Sequence, residues 1–209
     1  MECWNCQAET HGAAFCPACG RIGPRAPGAT HFDVFGIAPG YDVDLPALEK
    51  QYRDLSLKLH PDRFTQAVAR ERRLSLEQTA ALNEAWRVLK DPVRRAFYLL
   101  RLHGVNLEEE QAAERAKMPM EFLEEVMELR EALAEAAAEK DLGKAQQMAG
   151  DVEKRRKASL EEAVARLRTL QQDPKDEAAR TKASNALGRV RYFSRFLEEV
   201  EAIEEEALS

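Results

Sequence analysis

Apolar residues recur at helical spacing through most of the chain beyond residue 44. Leu45, Leu48, Tyr52, Leu55 and Leu59 stand three or four apart and form one stripe, with Lys50 and Arg53 on the opposite face. Asp44 is a suitable N-cap, Pro46 fits the first turn, and Pro61 denies His60 a helical backbone. The pattern therefore predicts a helix from about Leu45 to Leu59. A second helix is expected from about Ala67 to Leu89, burying Leu82, Ala85, Trp86 and Leu89. Asp91-Pro92 opens a shorter helix that runs through Leu102 and closes at Gly104. From Pro119 to about Ala207 the periodicity predicts long helices. Phe122, Val126, Leu129 and Leu133 make one core arc; Ala186, Val190, Phe193 and Leu197 make another on the last helix. Tyr192, Phe196 and Ile203 form a second apolar stripe, displaced from that arc by roughly a third of a turn.

The expected fold class is all-α. Five segments are expected: a cysteine module at 1–20, a linker at 21–31, a compact helical domain at 32–103, a polar connector at 104–118 and a helical region at 119–207. The linker is read from its two glycines and two prolines and its lack of apolar periodicity.

Charge narrows the choice of partner. The net charge of −6 is uneven: residues 1–100 hold 13 Lys and Arg against 12 Asp and Glu, and residues 101–209 hold 18 against 25. An acidic C-terminal half argues against nucleic acid as its partner, because phosphate binding needs clustered cations. It favours a protein with basic features. No apolar run approaches the roughly 20 residues of a membrane-spanning helix. Met1-Glu2-Cys3-Trp4 lacks the basic-then-apolar pattern of a secretory signal. A cytoplasmic location and no membrane partner are the expectations.

All four cysteines lie within the first 19 residues, as Cys3-x2-Cys6 and Cys16-x2-Cys19 separated by nine residues. Two such pairs on short turns can place four thiolates tetrahedrally around a metal ion, and four protein ligands leave no open position. The expectation is a structural zinc site of zinc-ribbon type, with iron in a rubredoxin-like site or paired disulfides as alternatives. Gly20 relieves the turn behind the second pair. His11 and His31 are not counted as ligands. Metal would supply what a 20-residue core cannot, so its removal is expected to unfold the module and spare the helices.

The chemistry of the middle domain centres on His60-Pro61-Asp62-Arg63-Phe64, between two antiparallel helices. Pro61 stiffens the loop and removes a donor, His60 offers both donor and acceptor, and Asp62 can pair with an arginine. This stretch resembles a J-domain, whose hallmark is His-Pro-Asp between its second and third helices. Phe35-Gly36-Ile37, Tyr52, Leu55, Asn83-Glu84-Ala85-Trp86 and Leu89-Lys90-Asp91-Pro92 extend the likeness. The resemblance implies that His60, Pro61 and Asp62 dock on an ATPase chaperone and trigger hydrolysis there, with Arg53 and Arg63 adding cationic contacts. The role is allosteric, so no catalytic residue is expected in this chain.

Tyr98 to Gly104 followed by Met120 to Glu131 resembles the HscB family of iron–sulfur co-chaperones, in which a J-domain precedes a C-terminal three-helix bundle. The likeness covers roughly residues 32–206. It implies a DnaK/HscA-type chaperone and an IscU-type scaffold as partners. The scaffold-binding candidates carried over by position are Leu123, Met127, Glu128, Glu131 and Glu135, with Tyr192 on the last helix. Projection at about 100° per residue puts Met127 well off the core arc, beside Glu124, Glu128, Glu131 and Glu135. Glu124 departs from the family, which often has an apolar residue there. Some members of the family, notably those of animals and plants, carry such a cysteine module; many bacterial ones do not.

The resulting expectation is a bridging co-chaperone, not an enzyme. The competing readings are a J-protein with another client and a zinc-ribbon nucleic-acid binder. The latter would need basic and aromatic residues around the cysteines, and residues 1–31 offer Arg21, Arg25, Trp4 and Phe15. A metalloenzyme would need an open coordination position that four cysteines do not leave.

Overall fold

The computed structural model describes residues 1–105 and 118–207. Residues 106–117, most of the expected connector, lie outside the described residues. The chain divides into two compact units, Met1–Arg95 and Ala96–Ser209.

In the first unit, α1 (His31–Val34) precedes α2 (Leu45–Leu59), a single 3-10 turn (Pro61–Phe64) and α3 (Ala69–Lys90). Helix α4 (Pro92–Leu102) carries the chain into the second unit. The cap of α2 is the expected one: the Asp44 carboxylate accepts from the Ala47 amide at 3.0 Å. Asp91 caps α4 in the same way, through the Arg94 amide at 2.8 Å. Phe32, Leu48, Leu59, Leu74, Leu82, Ala85 and Leu89 are buried where α1, α2 and α3 meet.

Two expected core residues behave otherwise. Leu45, the first residue of α2, is 39% exposed, having helical neighbours on one side only. Trp86 is half-buried and lies flat against Tyr52, ring centroids 5.0 Å apart, with the Lys90 ammonium over its ring. An indole presents enough area to be half covered and still contribute to packing.

The stretch 21–31 is packed at both ends. Ile22 is fully buried, and Thr30 forms a capping box with Asp33 at the start of α1. Thr30, by hydrogen bonding from side chain and amide, holds the Asp33 carboxyl below its usual range. Glycine and proline without periodicity describe a compact irregular segment as well as a loose one.

The second unit adds three helices, α5 (Met120–Ala138), α6 (Leu142–Gln172) and α7 (Glu177–Ala207). Phe122, Leu133, Ala145, Val152, Phe193, Phe196 and Val200 are buried together, and Leu123, Val126, Leu129, Tyr192, Leu197 and Ile203 pack partly buried against them. Burying a Phe or Leu side chain contributes roughly 1.5–3 kcal/mol, so this cluster holds the helices in place. The two stripes expected on the last helix merge into one broad buried face, because α7 packs against both α5 and α6. Among the described residues, no helix is long and apolar enough to cross a membrane.

Candidate functional sites

The four cysteines sit on two knuckles of matching construction. In the first, the Cys3 amide donates to Ala8 O at 2.8 Å and the Gln7 amide to Cys3 O at 2.9 Å. In the second, the Cys16 amide donates to Arg21 O and the Gly20 amide to Cys16 O, both at 2.8 Å. An isolated antiparallel bridge closes each, Glu2 with Glu9 and Phe15 with Ile22. The closure needs a left-handed residue after the second cysteine. Gly20 takes it at φ 71° and Gln7 at φ 62°. A side chain in that region costs about 1–2 kcal/mol, part of which glycine returns in unfolded-state entropy. Gln7→Gly is therefore expected to stabilise the metal-loaded module by about 1 kcal/mol, read as a higher melting temperature of the full chain.

The four Sγ atoms lie within 4.8 Å of one another. Cys3 to Cys19 and Cys6 to Cys16 are both 3.7 Å. A tetrahedral ion with metal–sulfur bonds near 2.3 Å requires an edge of about 3.8 Å, so these two pairs already stand at ligand spacing and the cluster as a whole is close enough to hold an ion. His11 and His31 are not in this cluster. The Asn5 and Cys6 amides pull the Cys3 thiol down to about 6. Cys6 is pushed up to about 12: the Ala8 amide lowers it, but Cys19, burial, Cys16 and Cys3 together outweigh that. Four crowded sulfurs cannot all ionise without a cation, so loading at neutral pH displaces protons. Metal affinity is expected to climb as pH rises from 6 to 8, by about tenfold per unit for each proton displaced. Competition titrations across that range check it, and a flat profile contradicts it.

The His60 loop projects from the end of the α2–α3 hairpin. His60 ends α2 with φ −54° and ψ 129°, the extended backbone a following proline imposes, and Pro61 opens the 3-10 turn. The His60 and Asp62 side chains are 57% and 86% exposed. His60 Nδ1 accepts from the Asp62 amide at 3.3 Å, so Nε2 carries the ring proton in the neutral form. The Arg63 amide donates to His60 O at 3.0 Å and Thr65 Oγ1 to Asp62 O at 3.2 Å, which stiffen the tip. Arg63 is exposed. Arg53 is exposed and paired with Glu49 one turn earlier, an arrangement of small energetic weight that a partner's carboxylate can compete with. Leu57, in line with Lys50 and Arg53 at helical spacing, is 69% exposed. Its place off the Leu48–Tyr52–Leu55–Leu59 stripe is the sequence signal for that exposure.

On α5, Met127 is 63% exposed, and Glu124, Glu128, Glu131 and Glu135 are exposed around it. Glu135 pairs with Lys144 at 2.7 Å, which holds its carboxyl below the usual range. Leu123 and Tyr192 are partly buried against the bundle core, Tyr192 edge-on to Phe122 at 5.6 Å between centroids. The six candidates therefore divide into an exposed methionine with its glutamates and two residues shared with the core. Met120, 70% exposed and two turns before Met127, joins the same face; the i, i+7 spacing carried that signal.

A family model described as the DnaJ domain matches residues 30–98, and one described as the HSCB C-terminal oligomerisation domain matches residues 118–201. The Co-chaperone protein HscB homolog of Vibrio vulnificus is 32% identical over 179 residues, covering 84% of this chain and 96% of that protein. The chain belongs to the HscB family of co-chaperones. The Iron-sulfur cluster co-chaperone protein HscB homolog of Arabidopsis thaliana is 39% identical over 134 residues; the match covers 64% of this chain and spans about half, 51%, of that protein. The HscB homolog of Ralstonia nicotianae is 42% identical over 113 residues, or 62% of its length. Among solved structures, human co-chaperone protein HscB superposes with a TM-score of 0.82 at 27% identity, covering 98% of both chains. HscB from Vibrio cholerae gives 0.69, covering 85% of this chain and 99% of its own. The expected J-domain and HscB assignment, and the all-helical class with a four-cysteine module, are thus confirmed.

Proposed function

We propose that this HscB-family chain stimulates ATP hydrolysis by a DnaK/HscA-type chaperone and delivers an IscU-type iron–sulfur scaffold to it. The exposed His60-Pro61-Asp62 tip on a rigid hairpin carries this reading. A short backbone-braced loop offers an Nε2–H donor and a carboxylate to a visiting surface with little ordering cost. Arg53 and Arg63 add cations beside it and Leu57 an apolar contact. The hydrolytic groups belong to the chaperone; this loop selects the conformation in which they act.

The scaffold is held by Met127 with Glu128, Glu131 and Glu135, and by the outward edges of Leu123 and Tyr192. One chain engaging both partners raises the effective concentration of scaffold at the chaperone. The four cysteines hold zinc as a structural ion, with iron the second reading; visible absorption of the purified protein separates the two.

Steady-state ATPase of the chaperone, titrated with this protein with and without scaffold, tests the proposal. The two are expected to act synergistically. Stimulation that ignores the scaffold removes the client half of the reading, and no stimulation removes it all.

A further inference from the structure

Helix α3 carries three buried polar residues on one face: Glu71 at 4% exposure, Ser75 at 0% and Gln78 at 6%. Buried polar groups require partners, and all three find theirs outside the helix. Glu71 pairs with Arg21. Gln78 Nε2 donates to Gly23 O at 2.8 Å. Ser75 Oγ donates to Leu59 O at 2.6 Å, and Thr79 Oγ1 joins the same carbonyl at 3.1 Å.

These partners come from two places that matter. Leu59 is the last residue of α2, immediately before His60. Arg21 and Gly23 flank Ile22, whose bridge to Phe15 closes the second cysteine knuckle; Arg21 O accepts the Cys16 amide. The first knuckle is attached too. Trp4 Nε1 donates to Ile22 O at 2.8 Å, and the Arg70 guanidinium of α3 stacks 4.9 Å from the Trp4 ring. Module contacts at Glu71 and Gln78 thus alternate along α3 with the contact that fixes the approach to the loop at Ser75.

We propose that Arg21 and Gln78 are positioning residues for the His60-Pro61-Asp62 loop, and that occupancy of the four-cysteine site reaches the loop through them. Knuckles held by a metal keep Arg21 and Gly23 against α3. Releasing them strips Glu71 and Gln78 of their partners and of the module packed over them, which loosens the first turns of α3 and its grip on Leu59 O. This departs from a module that unfolds on its own, and its functional arm rests on the chaperone-stimulating role proposed above.

The test uses the full chain, with metal and after stripping by chelator, alongside Arg21→Ala and Arg21→Lys. Hydrogen exchange of segments 56–64 and 69–82 reports the clamp without reference to any partner. Stripping and Arg21→Ala are each expected to speed exchange there by roughly fivefold, with less than additive effect together, and Arg21→Lys to restore most of the protection. In the ATPase assay Arg21→Ala is expected to raise the half-stimulating concentration by roughly fivefold and to keep the maximal rate, since His60 and Asp62 are intact. Unchanged exchange in 56–64 and 69–82 on stripping, or a lowered maximal rate that Arg21→Lys does not restore, overturns the proposal. A wild-type chain that stimulates no chaperone, while exchange responds as expected, defeats the functional reading and leaves the clamp standing.

Discussion

His60→Gln is expected to reduce stimulation of the chaperone ATPase more than tenfold while leaving the fold and scaffold capture unchanged. The side chain is exposed, so nothing in the core depends on it. What it supplies is a ring whose Nδ1 accepts the Asp62 amide and whose Nε2–H is the outward donor. A glutamine amide can imitate one of these functions at a time, and its longer flexible stem does not hold the loop. Losing a hot-spot contact at the centre of an interface costs about 2 kcal/mol or more, which already exceeds tenfold. Steady-state ATPase at saturating chaperone, with circular dichroism and scaffold binding as controls, reads the outcome. Stimulation within a factor of two of wild type would remove His60 from the interface.

Met127→Lys is expected to weaken capture of an IscU-type scaffold by at least tenfold without lowering the melting temperature. Met127 is 63% exposed and lies outside the buried cluster, so its replacement opens no cavity. The new ammonium would instead be buried in the complex unless Glu124, Glu128 or Glu131 follows it there, and an unpaired interfacial charge is costly. Leu123→Ala provides the contrast. It should weaken capture and also destabilise the bundle, because Leu123 packs against the core. Calorimetric titration with the scaffold, with ATPase stimulation in its absence as the control, separates the two. Equal affinity for wild type and Met127→Lys would move the scaffold to another face.

What the sequence made legible is what local chemistry dictates. Asp44 and Pro61 bound α2 because a cap and an imino acid act within one turn. The cysteine spacing announced a cluster able to hold a metal ion, because two pairs at that spacing bring four sulfurs together. The Arg21–Glu71 pair and the Gln78–Gly23 bond were invisible, because a charged or amide side chain in a helix reads as solvent-facing unless a partner is known. Both partners lie about 50 positions away. Phe196 and Tyr192 read as a separate stripe for a related reason: periodicity gives an angle around one helix and not the number of helices that surround it. Leu57 and Met120 were legible in principle, since each falls off a core stripe already drawn.

The face around Met127 and Met120 has a composition with its own consequence. Two unbranched thioethers are soft and can re-pack against surfaces of different shape, so the apolar contact tolerates drift in whatever docks there. The carboxylates beside them are less forgiving, since each rejects an acidic neighbour. If the scaffold seats here as proposed, shape is negotiable on this helix and charge is not: such a partner could remodel its hydrophobic contour but would have to keep its cations in register.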